Sequence, residues 1–377
     1  MKVAVTTLAF CVAALLALGL VMLYSSSMTQ VGAHYLMLQI VWCALGFVLC
    51  VVATALDYQW LKKCGWPIYL FALVLLGLVF VPHIGRASHG AHRWIQQFGF
   101  TFQPSEFAKV ALIIALAGYC DRYQRQMNTF KRGVLFPGAL IVVVLGLIFI
   151  EPDRGQTILL AAISGAMLLL AGVRWRHVLI PVAVGAAGLA FSLLHDSMRQ
   201  GRISAWLHPD THAGGAALQA RQAMYGLGAG GWTGLGLGNG VRKFGWLPEI
   251  HTDFIFANIG EELGLVATLL VLAAFVVIVL CGIYIALNSR DTFGALLAVG
   301  VTLLIGLQAV INIGVVTSAL PNKGLPLPFI SYGGSNLLAM FAAVGILFSI
   351  ARHAPAREKV SEPVVAAGDN PFAARAT

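Results

Sequence analysis

Charge is what this 377-residue chain lacks: Asp, Glu, Lys and Arg make up only 10% of it, and acids number just 15. A soluble globular domain carries roughly 25% charged residues. One large soluble core is therefore excluded. Disulfide and zinc frameworks are missing too. The six cysteines (11, 43, 50, 64, 120 and 281) include no CxxC, and each falls in an apolar run or in a segment expected on the cytoplasmic side. No GxxxxGK[ST] occurs, which argues against a nucleotide loop. What remains is apolar: 59% of residues are hydrophobic and the mean hydropathy is +0.85. The formal charge of +9 could suggest nucleic acid. Its basic residues sit mostly in short loops between apolar runs, however, which is membrane topology and not a nucleic-acid patch.

Apolar stretches near the roughly 20 residues that a bilayer requires recur at about 4–24, 36–56, 66–82, 104–120, 133–150, 156–173, 177–194, 262–287, 294–317 and 334–351. The first follows Lys2 but lacks a small-x-small cleavage site, so it reads as a retained span. The expectation is an all-α polytopic membrane protein of about ten transmembrane helices with both termini cytoplasmic. Most Lys and Arg then fall inside, and the short outer loop 25–35 has none. Two outer loops are long, 83–103 and 195–252, the second lying between helices 7 and 8. Residues 1–351 form the membrane domain, and the Pro/Ala-rich tail 352–377 is expected to be disordered and cytoplasmic.

Both long loops carry a small positive excess, which suits an anionic ligand such as a diphosphate or merely reflects solvation. Residues 247–264, LPEIHTDFIFANIGEELG, run an acidic segment straight into a long apolar run. Ionisable groups at such a boundary are functional candidates. Asp253 there could be a helix N-cap or a general base. His251, Thr252 and Glu249 could orient it or serve structure. Glu106 and Lys109 are spaced i, i+3 and share one helix face, so they pair with each other or line a polar cavity. Glu151, Asp153 and Arg154 form a tight outer turn that is either structural or contacts a diphosphate. Glu261 and Glu262 open span 8, one expected toward the bundle and one toward the interface. In the long loop, Gln222 and Lys243 are ligand candidates, with Lys243 the cation expected at the diphosphate. The glycine-rich stretch 226–240 reads as a mobile loop whose backbone can approach a ligand. SYGGS (331–335) either packs closely or presents amides to an anion. Eight histidines face outward (34, 83, 89, 92, 195, 208, 212, 251), and their spacings match no zinc pattern.

Taken in order, LYSSS (23–27), GAHRWI (90–95), FQPSEFAK (102–109), EPDRGQT (151–157), GLGNGVRKFGWLPEIHTDFIFANIGEELG (236–264) and LPNKGLPLPFISYGGS (320–335) resemble the SEDS family of polytopic cell-wall proteins (shape, elongation, division, sporulation). The resemblance covers nearly the whole chain. It implies a ten-helix fold and peptidoglycan glycosyltransferase activity, polymerising lipid II into β-1,4 strands at the outer face of a bacterial cytoplasmic membrane. It marks Asp253 as catalytic and places Arg93, Trp94, Glu106, Lys109, Gln222, Lys243, Glu249, His251, Thr252 and Ser331 at the substrate. Trp94 could stack on a sugar or rest at the interface. His92 stands where the family often has Lys, so no fixed charge is implied there. GLGNG (236–240) looks like the division branch, with elongation second. A class B penicillin-binding protein and other division proteins are the implied partners, at the septum; no nucleic acid is implied. The resemblance implies no definite cofactor, and a divalent cation (Mg or Mn) could bridge a carboxylate and the diphosphate. The rival classes are a lipid II flippase, which predicts symmetric broken helices near the midplane, and a non-catalytic scaffold.

Overall fold

The computed structural model describes residues 1–27, 32–82, 85–88, 91–97, 100–194, 197–207 and 216–354. The tail from 355 onward and His83, His89, His195, His208 and His212 lie outside the described residues. Among the described residues there are twelve α-helices: α1 (Lys2–Ser27), α2 (His34–Ala55), α3 (Gln59–Leu78), α4 (Pro104–Arg122), α5 (Phe136–Ile150), α6 (Arg154–Leu170), α7 (Trp175–Leu194), α8 (Ser197–Leu207), α9 (Ala216–Gly230), α10 (Ile255–Leu287), α11 (Thr292–Val316) and α12 (Gly334–Arg352). Every expected apolar span has its helix. Eight helical segments are long and apolar enough to cross a membrane, among the described residues. Of the other two expected spans, α6 is a shorter apolar helix. α4 carries Glu106, Lys109, Asp121 and Arg122 and is buried along nearly its whole length. It is surrounded by protein, so it needs less apolar character than a lipid-facing helix.

Two features of the loops were not legible. Loop 83–103 contains a small antiparallel sheet, β1 (Gly85–Ser88), β2 (Ala91–Gln97) and β3 (Phe100–Phe102), in the order β1-β2-β3. Loop 195–252 is not one extended loop, because α8 and α9 stand inside it. Both are too short and polar to register as spans.

Helices in lipid gain little from hydrophobic exclusion, so close packing over small residues holds them together. α2 and α12 illustrate this. Gly46 lies under the Phe341 ring, Gly334 under Trp42, and Gly345 against the backbone of Cys50; a methyl group at any of the three would collide.

The span expected to begin at 262 begins at Ile255, and the helix is broken at Gly264 (φ 77°, ψ −174°). A break leaves carbonyls and amides unpaired, which is costly away from water. The segment 231–236 closes the gap. Leu235 N and Gly236 N donate to the carbonyls of Glu261 and Glu262, both at 3.0 Å, and Leu265 N donates to Gly231 O at 2.9 Å. Two backbones cross here with no room for a side chain, and Gly234 (φ 81°) faces Gly264.

Gly264→Ala should therefore lower thermal stability in detergent by at least the roughly 1–3 kcal/mol of such backbone strain. Gly146→Ala, on a helical position with open space around it, should leave the melting temperature unchanged or raise it, alanine being the better helix former. Equal melting temperatures for both variants would contradict the crossing.

Candidate active site

Seven segments meet at one end of the bundle around a cleft of ≈ 650 Å³. β2 brings Arg93 and Trp94. The start of α4 brings Gln103, and the start of α6 brings Asp153 and Gln156. α8 and α9 contribute Arg202 and Gln219. The segment before α10 supplies Pro248, Glu249, Thr252, Asp253 and Phe254, and the connection from α11 into α12 supplies Asn322, Gly324, Tyr332 and Asn336.

Asp253 lines this cleft. It is not a helix cap: the N-cap of α10 is Phe254, with no side-chain cap bond. Its carboxylate accepts no hydrogen bond among the described residues. The main chain around it is held firmly, however. Asn312 Nδ2 donates to Asp253 O at 2.8 Å and to Leu325 O at 2.7 Å. Ser331 Oγ donates to Thr252 O at 2.5 Å, and Tyr332 N donates to His251 O at 3.0 Å. Burial pushes the Asp253 carboxyl up to about 7; the negative charges of Glu249 and Asp153 add to the rise, and Arg93 opposes it. A carboxylate of that basicity, free of hydrogen bonds and fixed by its backbone, suits proton abstraction near neutral pH.

Glu249 and Thr252 are paired beside it, Thr252 Oγ1 donating to Glu249 Oε2 at 2.9 Å. Glu249 adopts a left-handed backbone (φ 57°), an uncommon conformation for a side-chain-bearing residue. His251 does not line the cleft: its ring stacks on Tyr35 at 4.8 Å. Burial lowers its pKa, with the charge of Glu249 opposing. Ser331 is likewise structural, its hydroxyl bridging Leu327 N and Thr252 O.

Arg93 ties the sheet to the turn before α6. Its Nε donates to Glu151 O (3.0 Å) and its Nη2 to Pro152 O (2.7 Å), and its Nη1 lies 3.6 Å from Asp153 Oδ2. Asp153 caps α6 through Gln156 N at 3.1 Å. Arg154 turns away, donating to Phe149 O and Ser192 Oγ. Glu106 and Lys109 pair as their spacing requires, at 2.7 Å, but both are fully buried behind the cleft. The cleft-lining side chains Gln156 and Asn336 donate to the two Glu106 oxygens at 2.9 and 2.8 Å, and Lys109 donates to Gln308 at 3.0 Å. The pair thus reaches the cleft through two amides and not directly.

Four further expectations are corrected. Lys243 is not at the cleft: it is buried against Glu262 at 2.9 Å and donates to Ser25 Oγ and Gly238 O. Gln222 accepts from Arg242 at 2.7 Å and is also off the cleft; its neighbour Gln219 lines it instead, bonded to Asn322 at 2.6 Å. Glu261 and Glu262 do not divide between bundle and interface, because both are buried. The glycine-rich stretch approaches these two carboxylates and not a ligand. Gly238 N and Gly240 N donate to Glu262, and Val241 N and Arg242 N donate to Glu261. The anion these amides cradle belongs to the protein.

Sequence reasoning missed Arg202, Asn322 and Asn336 on the cleft. The only signal was the polar PNKG run between two apolar segments, which holds Asn322 and Lys323. Burial lowers the Lys323 pKa, and the nearby charge of Asp153 opposes this. No three His, Cys, Asp or Glu side chains cluster in metal-binding fashion among the described residues.

The FtsW/RodA/SpoVE family model, described as a cell cycle protein, matches residues 6–356. The chain belongs to this family. It is 40% identical over 345 residues to a probable peptidoglycan glycosyltransferase FtsW of Trichlorobacter lovleyi, covering 90% of this chain and 91% of that protein. The Coxiella burnetii protein of the same name is 39% identical over 351 residues, covering 90% and 94%. Among solved structures, a chain from work on coordination of polymerization and crosslinking by a peptidoglycan synthase complex superposes with TM-score 0.76 and 28% identity, covering 92% of this chain and 96% of that one. The rod shape determining protein RodA of Thermus thermophilus superposes with TM-score 0.69 and 29% identity, covering 92% and 95%.

Glu151 gives this site a separate test. It is fully buried, and neither carboxyl oxygen has a hydrogen-bond partner among the described residues. Burial raises its pKa to about 8, Asp153 adding and Arg93 opposing. The folded state therefore holds a proton that the unfolded chain releases near the ordinary value of 4.5. Stability from this group is full below the ordinary value and falls as pH rises toward 8. Glu151→Gln removes the titration, so its melting temperature should fall less than that of the wild type between pH 5 and about 8. Parallel curves would show that Glu151 is ionised in the fold.

Proposed function

We propose that this protein is a peptidoglycan glycosyltransferase of the division branch, polymerising lipid II at the outer face of the bacterial cytoplasmic membrane, with Asp253 as general base. The observation that carries this reading is Asp253 itself: an uncapped, half-buried carboxylate with a pKa of about 7, facing a polar cleft. The family relationship supports the reaction class. In this reading the chain spans the membrane ten times, α4 and α6 included, with both termini cytoplasmic and the cleft outside.

Chain extension joins a sugar hydroxyl to the anomeric carbon of a second sugar. The hydroxyl oxygen bonds to that carbon, the carbon–oxygen bond to the lipid diphosphate breaks, and Asp253 takes the hydroxyl proton. One displacement inverts the centre, converting an α-linked diphosphate donor into a β-1,4 product without a second nucleophilic carboxylate. Arg93 and Arg202 are the cleft cations placed to steady the departing diphosphate. They take the role that the sequence suggested for Lys243. Trp94 offers a ring to a sugar face, and Gln219, Asn322 and Asn336 supply hydrogen bonds. A class B penicillin-binding protein is the proposed partner, with the division septum as the site of action. The resemblance of the fold to a chain of a peptidoglycan synthase complex supports that pairing.

The test uses purified protein with its partner and lipid II. Asp253→Asn should reduce polymer at least about 100-fold, as expected for loss of a general base. Wild-type turnover should rise with pH through about 7 as Asp253 deprotonates. Equal polymer from both proteins removes Asp253 as the base. No polymer from either, with the protein folded and partnered, favours a flippase or scaffold.

A further inference from the structure

A second cavity of ≈ 640 Å³ lies at the other end of α4. Glu106, near the start of that helix, sits behind the Asp253 cleft, whereas Arg122, its last residue, lines this second cavity. At 1.5 Å rise per residue the two are about 24 Å apart, so the cavity opens toward the opposite membrane surface. α4 forms its back wall, α3 and α5 its sides. The wall is apolar and shallow: Ile114, Ala115 and Leu140 line it. A methyl group added at Gly118, also on this wall, would make only one ordinary contact, with Phe293. Trp66 and Phe136 stand at the rim, 51% and 41% exposed.

The polar end has the opposite character. Lys62 is neutralised by Asp121 at 2.7 Å. Arg122 and Arg132 have no carboxylate partner among the described residues. Instead the Arg132 guanidinium lies over the rings of Tyr123 at 4.4 Å and Phe136 at 5.1 Å, and Arg122 lies 5.8 Å from the Tyr123 ring. The rings hold the guanidiniums without neutralising their charge. Two such forks at the mouth of an apolar slot between helices match a phosphodiester with a hydrocarbon tail.

We propose that this cavity binds an anionic phospholipid of the leaflet opposite the Asp253 cleft, its phosphodiester on Arg122 and Arg132 and the first part of an acyl chain along Ile114, Ala115 and Leu140. A free phosphate would leave the slot unused. A zwitterionic lipid would bring its own cation against two arginines. The lipid braces α4, the helix that holds the Glu106–Lys109 pair. This inference depends on the membrane-spanning fold and not on the chemistry at Asp253, so either can fail alone.

The experiment is lipid retention by the delipidated full-length protein, read by native mass spectrometry. Phosphatidylglycerol and phosphatidylcholine of identical acyl chains are compared. Wild type should retain phosphatidylglycerol roughly tenfold or more in preference, as two arginines near a headgroup would give. Arg122→Gln with Arg132→Gln should abolish the preference. Ala139→Trp, at an exposed position on the slot, should reduce retention of both lipids with charge unchanged. Circular dichroism confirms that each variant is folded. Equal retention of the two lipids by wild type overturns the proposal, as does a preference that survives the double variant. Displacement of the bound phosphatidylglycerol by millimolar inorganic phosphate also overturns it, because the site would then read only an anion.

Discussion

The break in α10 at Gly264 is the constraint on which the cleft end of this protein depends. A continuous helix from Ile255 to Leu287 would satisfy its own backbone and offer nothing to a loop. Broken, it presents free carbonyls at Glu261 and Glu262, and the 231–236 segment takes them up. The two side chains then extend the same attachment. Each gathers amides from 238–242, and Glu262 adds Lys243 and Ser25 of α1. Removing water from an ion pair costs several kcal/mol per ion, so a buried pair persists only where further hydrogen bonds complete it. Here they do. One end of α1, the glycine-rich segment and α10 are thereby locked together, and residues 247–254 run out from that lock to the cleft.

The same economy of charge operates in α4. Glu106 and Lys109 are buried in a helix that is protein-covered on nearly every side, and each of their charged atoms is met by an amide or by the partner. Gln156 and Asn336 have a second face on the cleft. The pair thus orients the amides that a ligand would meet. Removing one partner would leave the other as an uncompensated buried charge, which is far more disruptive than removing both. The charged motifs therefore divide into those that build the cleft and those that face it.

That division is what the sequence could not convey. The helices were legible because bilayer length and apolar runs leave few alternatives, and Glu106–Lys109 was legible because i, i+3 spacing fixes the neighbours. Asp253 was legible as a candidate, since a carboxylate at an apolar boundary has few reasons to be there. Lys243 and Arg202 look alike in a polar loop, yet one is buried against Glu262 and the other lines the cleft. Only the fold of loop 195–252, with α8 and α9 inside it, separates them. Gln219 and Gln222 differ in the same way, being three residues apart on α9 and meeting different neighbours. Glycine-rich 226–240 was read as a ligand loop because backbone amides without side chains suit an anion. The physics was right, and the anion proved to be Glu262.

Apart from Glu151, every other buried or half-buried carboxylate described above has a cationic partner or hydrogen-bond donors of its own, and Asp253 has neither. Glu106 has Lys109, Glu262 has Lys243, Asp153 has an amide and Arg93, and Glu261 has two amides. Glu151 also lacks partners, but it is sealed from solvent and its pKa of about 8 leaves it mostly neutral at pH 7. Asp253 is open to the cleft, and a pKa of about 7 divides it between its two forms at neutral pH. A group in that condition is destabilised when charged and regains solvation only by taking a proton. Fixing its backbone from α11 and from the 325–332 segment keeps it from escaping to a better-solvated rotamer through main-chain movement. The fold thus spends its donors on the carboxylates that hold it together and withholds them from the one that faces the ligand.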